Sequence, residues 1–160
     1  MARLGREAAA TSLMSAFHLK PKARSLMQTL SQPISEFSAN MPLGRHVIAE
    51  FFGASNLDNI TEMETAMIAA ADIAGAIVLE ARFHTFGEGQ GVTGVVILAE
   101  SHISIHTWPE YGYAAIDAFM CGSADPKRAV QYLKNFFSPK SVDITILKRG
   151  TPRRSNVIED

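Results

Sequence analysis

From residue 42 onward, the apolar and polar positions switch repeatedly between a two-residue and a 3.6-residue period, the signatures of strand and helix. Val47 to Phe52 is rich in β-branched and aromatic residues and predicts a strand. Ile60, Met63, Met67, Ala70 and Ala74 follow the helical period, with Asp58 or Asn59 available as N-cap and Gly75 as the stop. Ile77, Leu79, Ala81 and Phe83 then alternate with Val78, Glu80, Arg82 and His84 as in a half-buried strand, and the glycines at 87, 89 and 91 mark a turn. Val92 to Leu98 is apolar enough for a buried strand. Ile103, Ile105 and Thr107 alternate with His102, Ser104 and His106 in another that Pro109 ends, and Ala114 to Met120 is a further strand. Asp125 and Pro126 form an N-cap and N1 pair for a helix carrying Val130, Leu133 and Phe137, and Val142, Ile144 and Ile146 alternate in a last strand. The order β-α-β-β-β-β-α-β predicts an α+β two-layer sandwich: an antiparallel or mixed sheet with two helices on one face. The bare face then needs a cover, which a dimer supplies most simply.

Before residue 41 this pattern is missing. Residues 1–40 hold six serines and two prolines, five basic and two acidic side chains, and one short helical patch near Leu26, Met27 and Leu30. They are expected to be a poorly ordered N-terminal extension; an organelle-targeting leader is the other reading of such a segment, whereas a secretory signal is excluded by the lack of an apolar run after the early arginines. Residues 41–150 form the folded domain and 151–160 a C-terminal tail.

Composition narrows the function. Apolar residues make up 47% of the 160, enough for a real core. A net charge of −1 lacks the basic footprint of a nucleic-acid binder, so no nucleic-acid partner is expected. No apolar stretch approaches the roughly 18 residues of a membrane span, so no membrane association is expected. The single cysteine, Cys121, cannot form an internal disulfide and fits a reducing compartment, which points to the cytoplasm.

Candidate chemistry concentrates between Glu100 and Glu110, where two histidines, two carboxylates, two serines and the one tryptophan fall within eleven residues. His102 and His106 would share a face of a helix, but along a strand they stand roughly 13 Å apart, so no metal is expected there. Cys121 or Ser101 paired with His106 as a hydrolytic nucleophile stays open, although no nucleophile-elbow glycines flank either residue.

The run Glu100-Ser101-His102-Ile103-Ser104-Ile105-His106-Thr107-Trp108-Pro109-Glu110, followed by Tyr111-Gly112-Tyr113-Ala114-Ala115-Ile116-Asp117, resembles the S-adenosylmethionine decarboxylase proenzymes of the short prokaryotic class. The likeness continues in Cys121-Gly122, Gly91-Val92-Thr93-Gly94, Gly44-Arg45-His46 and Ala49-Glu50-Phe51-Phe52, and spans roughly Leu43 to Gly150. It implies that Ser101 attacks the carbonyl of Glu100, cutting the chain into residues 1–100 and 101–160. Ester formation and elimination would leave dehydroalanine, which hydrolyses to a pyruvoyl group, the covalent cofactor derived from Ser101. That ketone would form a Schiff base with S-adenosylmethionine, replacing pyridoxal phosphate as electron sink, and release carbon dioxide and the aminopropyl donor of spermidine synthesis. By the same resemblance His106 accepts a proton during processing and Cys121 donates one in catalysis, as a thiol largely protonated at neutral pH can. Thr93, where the family has a serine, keeps a hydroxyl for processing. Phe52 and Phe86 fit an aromatic slot for the adenine or sulfonium, and Glu110 is placed near the substrate. The cleaved pairs are expected to assemble as a dimer. The alternatives are a pyruvoyl-dependent arginine or ornithine decarboxylase, left open by Glu50 and Glu88, and an unprocessed regulatory homologue. Strict alternation puts Ser101 and His106 on opposite faces, so the backbone near the cut must depart from a regular strand if they are to meet.

Overall fold

The computed structural model describes residues 41–151, so the expectations for the N-terminal extension and for most of the C-terminal tail lie outside the described residues. Strands β1 (Gly44–Phe52), β2 (Val78–Thr85), β3 (Val92–Leu98), β4 (Ser101–Trp108), β5 (Tyr113–Cys121) and β6 (Ser141–Arg149) alternate with helices α1 (Ile60–Ala74) and α2 (Pro126–Phe137) in the expected order. They build one sheet, β2-β3-β4-β5-β1-β6. Every neighbouring pair is antiparallel, which resolves the sheet as antiparallel rather than mixed. β1 and β6 run past their apolar cores to Gly44 and Arg149, because ladder hydrogen bonds join backbones whatever the side chains are.

The helices start and stop where local chemistry requires. The Asn59 side chain accepts from the Glu62 amide at 3.2 Å, so Asn59 rather than Asp58 caps α1, and Gly75 ends it at φ 80°. Asp125 Oδ1 accepts from the Lys127 amide at 3.2 Å, with Pro126 opening α2. Both helices pack on one face, α1 over β2 and β3 and α2 over β1 and β5. Between them and the sheet lie the buried residues of alternate strand positions, among them Phe51, Val96, Ile103, Ile105, Ile116 and Met120, closed by Met63, Met67, Leu133 and Phe137.

Two close approaches hold β3 against its neighbours. A Cβ at Gly91 would run into the carbonyl oxygen of Thr107, and one at Gly94 into the ring of Phe83. Thr107, the buried polar residue of this core, accepts from the Val92 amide at 2.8 Å and donates to the Leu57 carbonyl at 2.7 Å. One hydroxyl thus ties together β4, the start of β3 and the loop that follows β1.

Among the described residues, no helix covers the opposite face of the sheet. Phe52, Ile97, Trp108 and Leu147 project there, each 39–41% exposed, alongside His46, His102 and His106.

Thr107→Val keeps the shape of the side chain but leaves the Val92 amide and the Leu57 carbonyl without a partner, and is expected to cost about 1–3 kcal/mol. Urea unfolding of the chain kept uncut by Ser101→Ala measures it; a midpoint equal to that of the parent would remove this role from Thr107.

Candidate active site

β3 and β4 join through a two-residue turn, Ala99 and Glu100, that is pinned on three sides. The Ala99 amide donates to the Ile77 carbonyl at 2.9 Å and the Ile77 amide donates to Glu100 Oε2 at 2.9 Å. The main-chain carbonyl of Glu100 accepts from the Cys121 amide at 3.1 Å. Ser101 follows at φ 142°, an angle that residues with a side chain rarely adopt and that stores of the order of 1–3 kcal/mol. This is a departure from regular strand geometry, but one that joins Ser101 to a residue other than His106. The Ser101 hydroxyl therefore meets its own neighbour, His102, with Oγ 3.2 Å from Nδ1.

Around these two residues a polar cluster spans three strands. His46 Nδ1 lies 3.1 Å from a guanidinium nitrogen of Arg149, and its Nε2 lies 3.0 Å from Asp117 Oδ1. An arginine only donates, so Nδ1 accepts and Nε2–H is given to Asp117. The rings of His46 and Phe119 pack edgewise on His102 at 6.3 and 6.1 Å between centroids. Burial first, and then the neighbouring His46, hold the His102 imidazole below its ordinary value, with Asp117 pulling the other way. Burial and the charge of Glu100 push the Cys121 thiol above its ordinary value, so Cys121 is a protonated thiol beside the Glu100–Ser101 bond.

A second group sits at the far end of β4. Thr93 and His106 are register partners, and Thr93 Oγ1 is hydrogen-bonded to His106 Nδ1. They line a cavity of about 310 Å³ with Phe86, Trp108 and Glu110. Beside it Trp108 stacks on Tyr113 at 5.2 Å and Tyr113 on Phe52 at 5.4 Å. The Tyr113 hydroxyl donates to Glu50, which with burial pushes its pKa up to about 12 and keeps it a donor.

The structure thus brings Glu100, Ser101 and Cys121 together at one end of β4, and Thr93, His106, Phe86 and Glu110 at the other. It does not bring Ser101 and His106 together within one chain: five residues of strand separate them by about 16 Å. Phe52 lies on the aromatic stack, one strand pair away from the cavity that Phe86 lines. The sequence pattern leaves His102 unassigned and does not single out His46, Asp117 or Arg149; the four residues come from four strands and carry no common spacing. The signal that could have exposed His102 was its position directly after the serine, had the twist at Ser101 been foreseen.

Comparison with known proteins sets this arrangement in context. A crystal structure of the adenosylmethionine decarboxylase from Aquifex aeolicus superposes with a TM-score of 0.64 at 33% identity, covering 73% of this chain and 98% of that one. The same α+β sandwich is therefore present in both. Residues 45–150 match the family described as S-adenosylmethionine decarboxylase. S-adenosylmethionine decarboxylase proenzymes of Acetivibrio thermocellus and Thermotoga maritima are 49% and 45% identical over 111 and 121 residues, which is 68% and 74% of this chain and 89% and 92% of theirs. This chain belongs to the S-adenosylmethionine decarboxylase family.

In the uncut Ser101→Ala chain, alkylation of Cys121 by iodoacetamide is expected to titrate above the ordinary thiol range, and adding Glu100→Gln to move it back down because a negative neighbour is removed. A titration at or below the ordinary range would contradict the burial and charge described for this thiol.

Proposed function

We propose that this chain is a self-processing S-adenosylmethionine decarboxylase, a carboxy-lyase that cuts itself between Glu100 and Ser101 and releases carbon dioxide from S-adenosylmethionine to form its aminopropyl-bearing product, the donor for spermidine synthesis. The observation that carries this reading is the state of the Glu100–Ser101 bond. Its carbonyl already accepts a hydrogen bond from the Cys121 amide, and its serine is held at a strained φ of 142°. A donor aimed at that oxygen stabilises the negative charge that develops when Oγ attacks the carbonyl carbon. Strain in the uncut chain is relieved as the bond changes, which favours the forward direction.

The residues present fit a pyruvoyl group formed at Ser101. Such a group supplies a ketone that holds the substrate amine and draws off the electrons left by carbon dioxide. Cys121 flanks that position, and its thiol, held protonated by burial and by Glu100, is the proton donor to the substrate carbon. Phe86, Trp108, Phe52 and Tyr113 offer aromatic faces for adenine or for the sulfonium, a contact worth roughly 0.5–2 kcal/mol, and Glu110 borders the same cavity. Arginine or ornithine would need a free carboxylate at the far end of the pocket. Glu50 is engaged by the Tyr113 hydroxyl, which argues against that pairing.

His106, the proton acceptor in processing, and Thr93, its support, reach Ser101 in this reading from a second copy. Two copies packed through their helix-free faces, about a two-fold axis running across the strands, set the Thr93–His106 end of one against the Ser101–Cys121 end of the other. The half-exposed Phe52, Ile97, Trp108 and Leu147 on that face supply the apolar surface such packing buries. The assembly is a dimer of cleaved pairs, each made of residues 1–100 and 101–160, with two composite sites.

Intact mass under denaturing conditions is expected to give two species, residues 1–100 and residues 101–160, the second lighter by one ammonia than plain hydrolysis allows. Ser101→Ala is expected to stay a single 17.4 kDa chain. Persistence of one species in the unsubstituted protein would overturn self-processing and leave the regulatory homologue. Cys121→Ala keeps the backbone amide, so it is expected to cut normally yet decarboxylate S-adenosylmethionine about 10²–10⁴-fold more slowly. Normal turnover in a cut Cys121→Ala protein would remove the thiol from the mechanism.

A further inference from the structure

We propose that His102 is the base of the first processing step: it takes the hydroxyl proton of Ser101 as Oγ attacks the Glu100 carbonyl, and leaves the later removal of the Ser101 α-proton to His106. This deepens the self-cleavage reading given above and rests on it.

Geometry carries the assignment. His102 Nδ1 stands 3.2 Å from Ser101 Oγ, within the reach that a general base needs before any movement. Consecutive strand residues normally point to opposite faces, so this contact exists because Ser101 sits at φ 142°. The one unusual backbone angle on β4 is thus the one that joins a nucleophile to an imidazole. His106 in the same chain is hydrogen-bonded to Thr93 and lies about 16 Å along the strand.

The surroundings fix His102 as a neutral acceptor. His46 from β1 and Phe119 from β5 hold its ring edgewise. Asp117 from β5 and Arg149 from β6 bind the two nitrogens of His46 and so hold that ring in turn. Ile97 faces His102 from β3, Glu100 precedes Ser101 in the turn, and Cys121 closes the far side of the cut. Burial and His46 keep the imidazole below its ordinary value, in agreement with a group that must begin the step unprotonated.

The step balances within the chain. As the bond from Oγ to the Glu100 carbonyl carbon forms, the hydroxyl proton moves to Nδ1, and the oxyanion accepts from the Cys121 amide. The carbon–nitrogen bond then breaks while His102 passes the same proton to the departing Ser101 nitrogen. The peptide has become an ester with a free α-amine; nothing else is consumed, and His102 is neutral again.

The test follows the full-length chain by intact mass after refolding, with hydroxylamine used to cleave any ester at residue 100. His106→Ala is expected to accumulate the hydroxylamine-labile ester, whereas His102→Asn, which keeps an acceptor but cannot carry the proton, is expected to slow cutting about 10²–10⁴-fold with no ester trapped. Added imidazole is expected to restore cutting to His102→Gly, which mere structural support by His102 does not predict. Ester formation in His106→Ala is expected to fail on acidification only below the ordinary imidazole value of 6.5; this reading does not depend on any His102 variant folding. Cutting by His102→Asn at the wild-type rate, ester trapped in His102→Asn, or an uncut His106→Ala chain without ester would each overturn the assignment while leaving self-cleavage intact. An unsubstituted chain that never cuts would overturn self-cleavage and this assignment with it.

Discussion

A β-strand hands alternate side chains to opposite faces of its sheet, and one residue here breaks that rule. At Ser101 the backbone turns to φ 142°, and the serine that alternation assigns to the helix side instead meets His102 on the bare side. The twist is sustained by its frame. Ala99, Glu100 and Cys121 hold the turn through three backbone or side-chain bonds to their neighbours, so the surrounding sheet bears the strain that the serine could not hold alone. A regular strand at this point would bury the hydroxyl among the core residues, with no imidazole beside it.

The same antiparallel ladder sets the electrostatics of the cut. Cys121 is opposite the turn because β4 and β5 pair in register from Ser101 and Met120 onward. That register delivers its amide to the Glu100 carbonyl and exposes its thiol to the Glu100 charge. In the proposed mechanism one residue therefore serves two different steps with two different groups, the backbone in bond rearrangement and the side chain in proton delivery. The two groups are separable because only the thiol is lost on truncation to alanine.

Much of this is legible in the sequence. The two periods located all six strands and both helices, since each strand has a buried and a bare side and each helix an apolar stripe. Chain order and alternation led to two layers with one uncovered face. The contiguous run around Ser101, with Cys121 beyond it, pointed to the family and its chemistry. What stayed hidden was relational. His46, Asp117 and Arg149 lie on β1, β5 and β6, far apart in sequence, and only the register brings them to one imidazole ring. The burial of Thr107, which links Val92 to Leu57, leaves no trace in a pattern where it reads as one more strand threonine. The choice of Asn59 over Asp58 as cap turned on a single hydrogen bond.

In the proposed dimer, the bare face accounts for a chemistry divided between the two ends of one strand. Among the described residues two helices cover one face of six strands, and Phe52, Ile97, Trp108 and Leu147 remain half exposed on the other. Burying that surface against a second copy adds stability roughly in proportion to its area. The proposed two-fold axis across the strands would place unlike ends opposite each other, so that neither end would need a complete set of groups. In the proposed route Ser101 has beside it the groups that act within the chain, the Cys121 amide and His102, together with the strain of its own backbone. Thr93 and His106 keep a cavity of about 310 Å³ bordered by Phe86, Trp108 and Glu110. In that reading the peptide-to-ester step needs only groups of one chain, whereas the step assigned to His106 waits for assembly, so folding and completion of the chemistry are separate events.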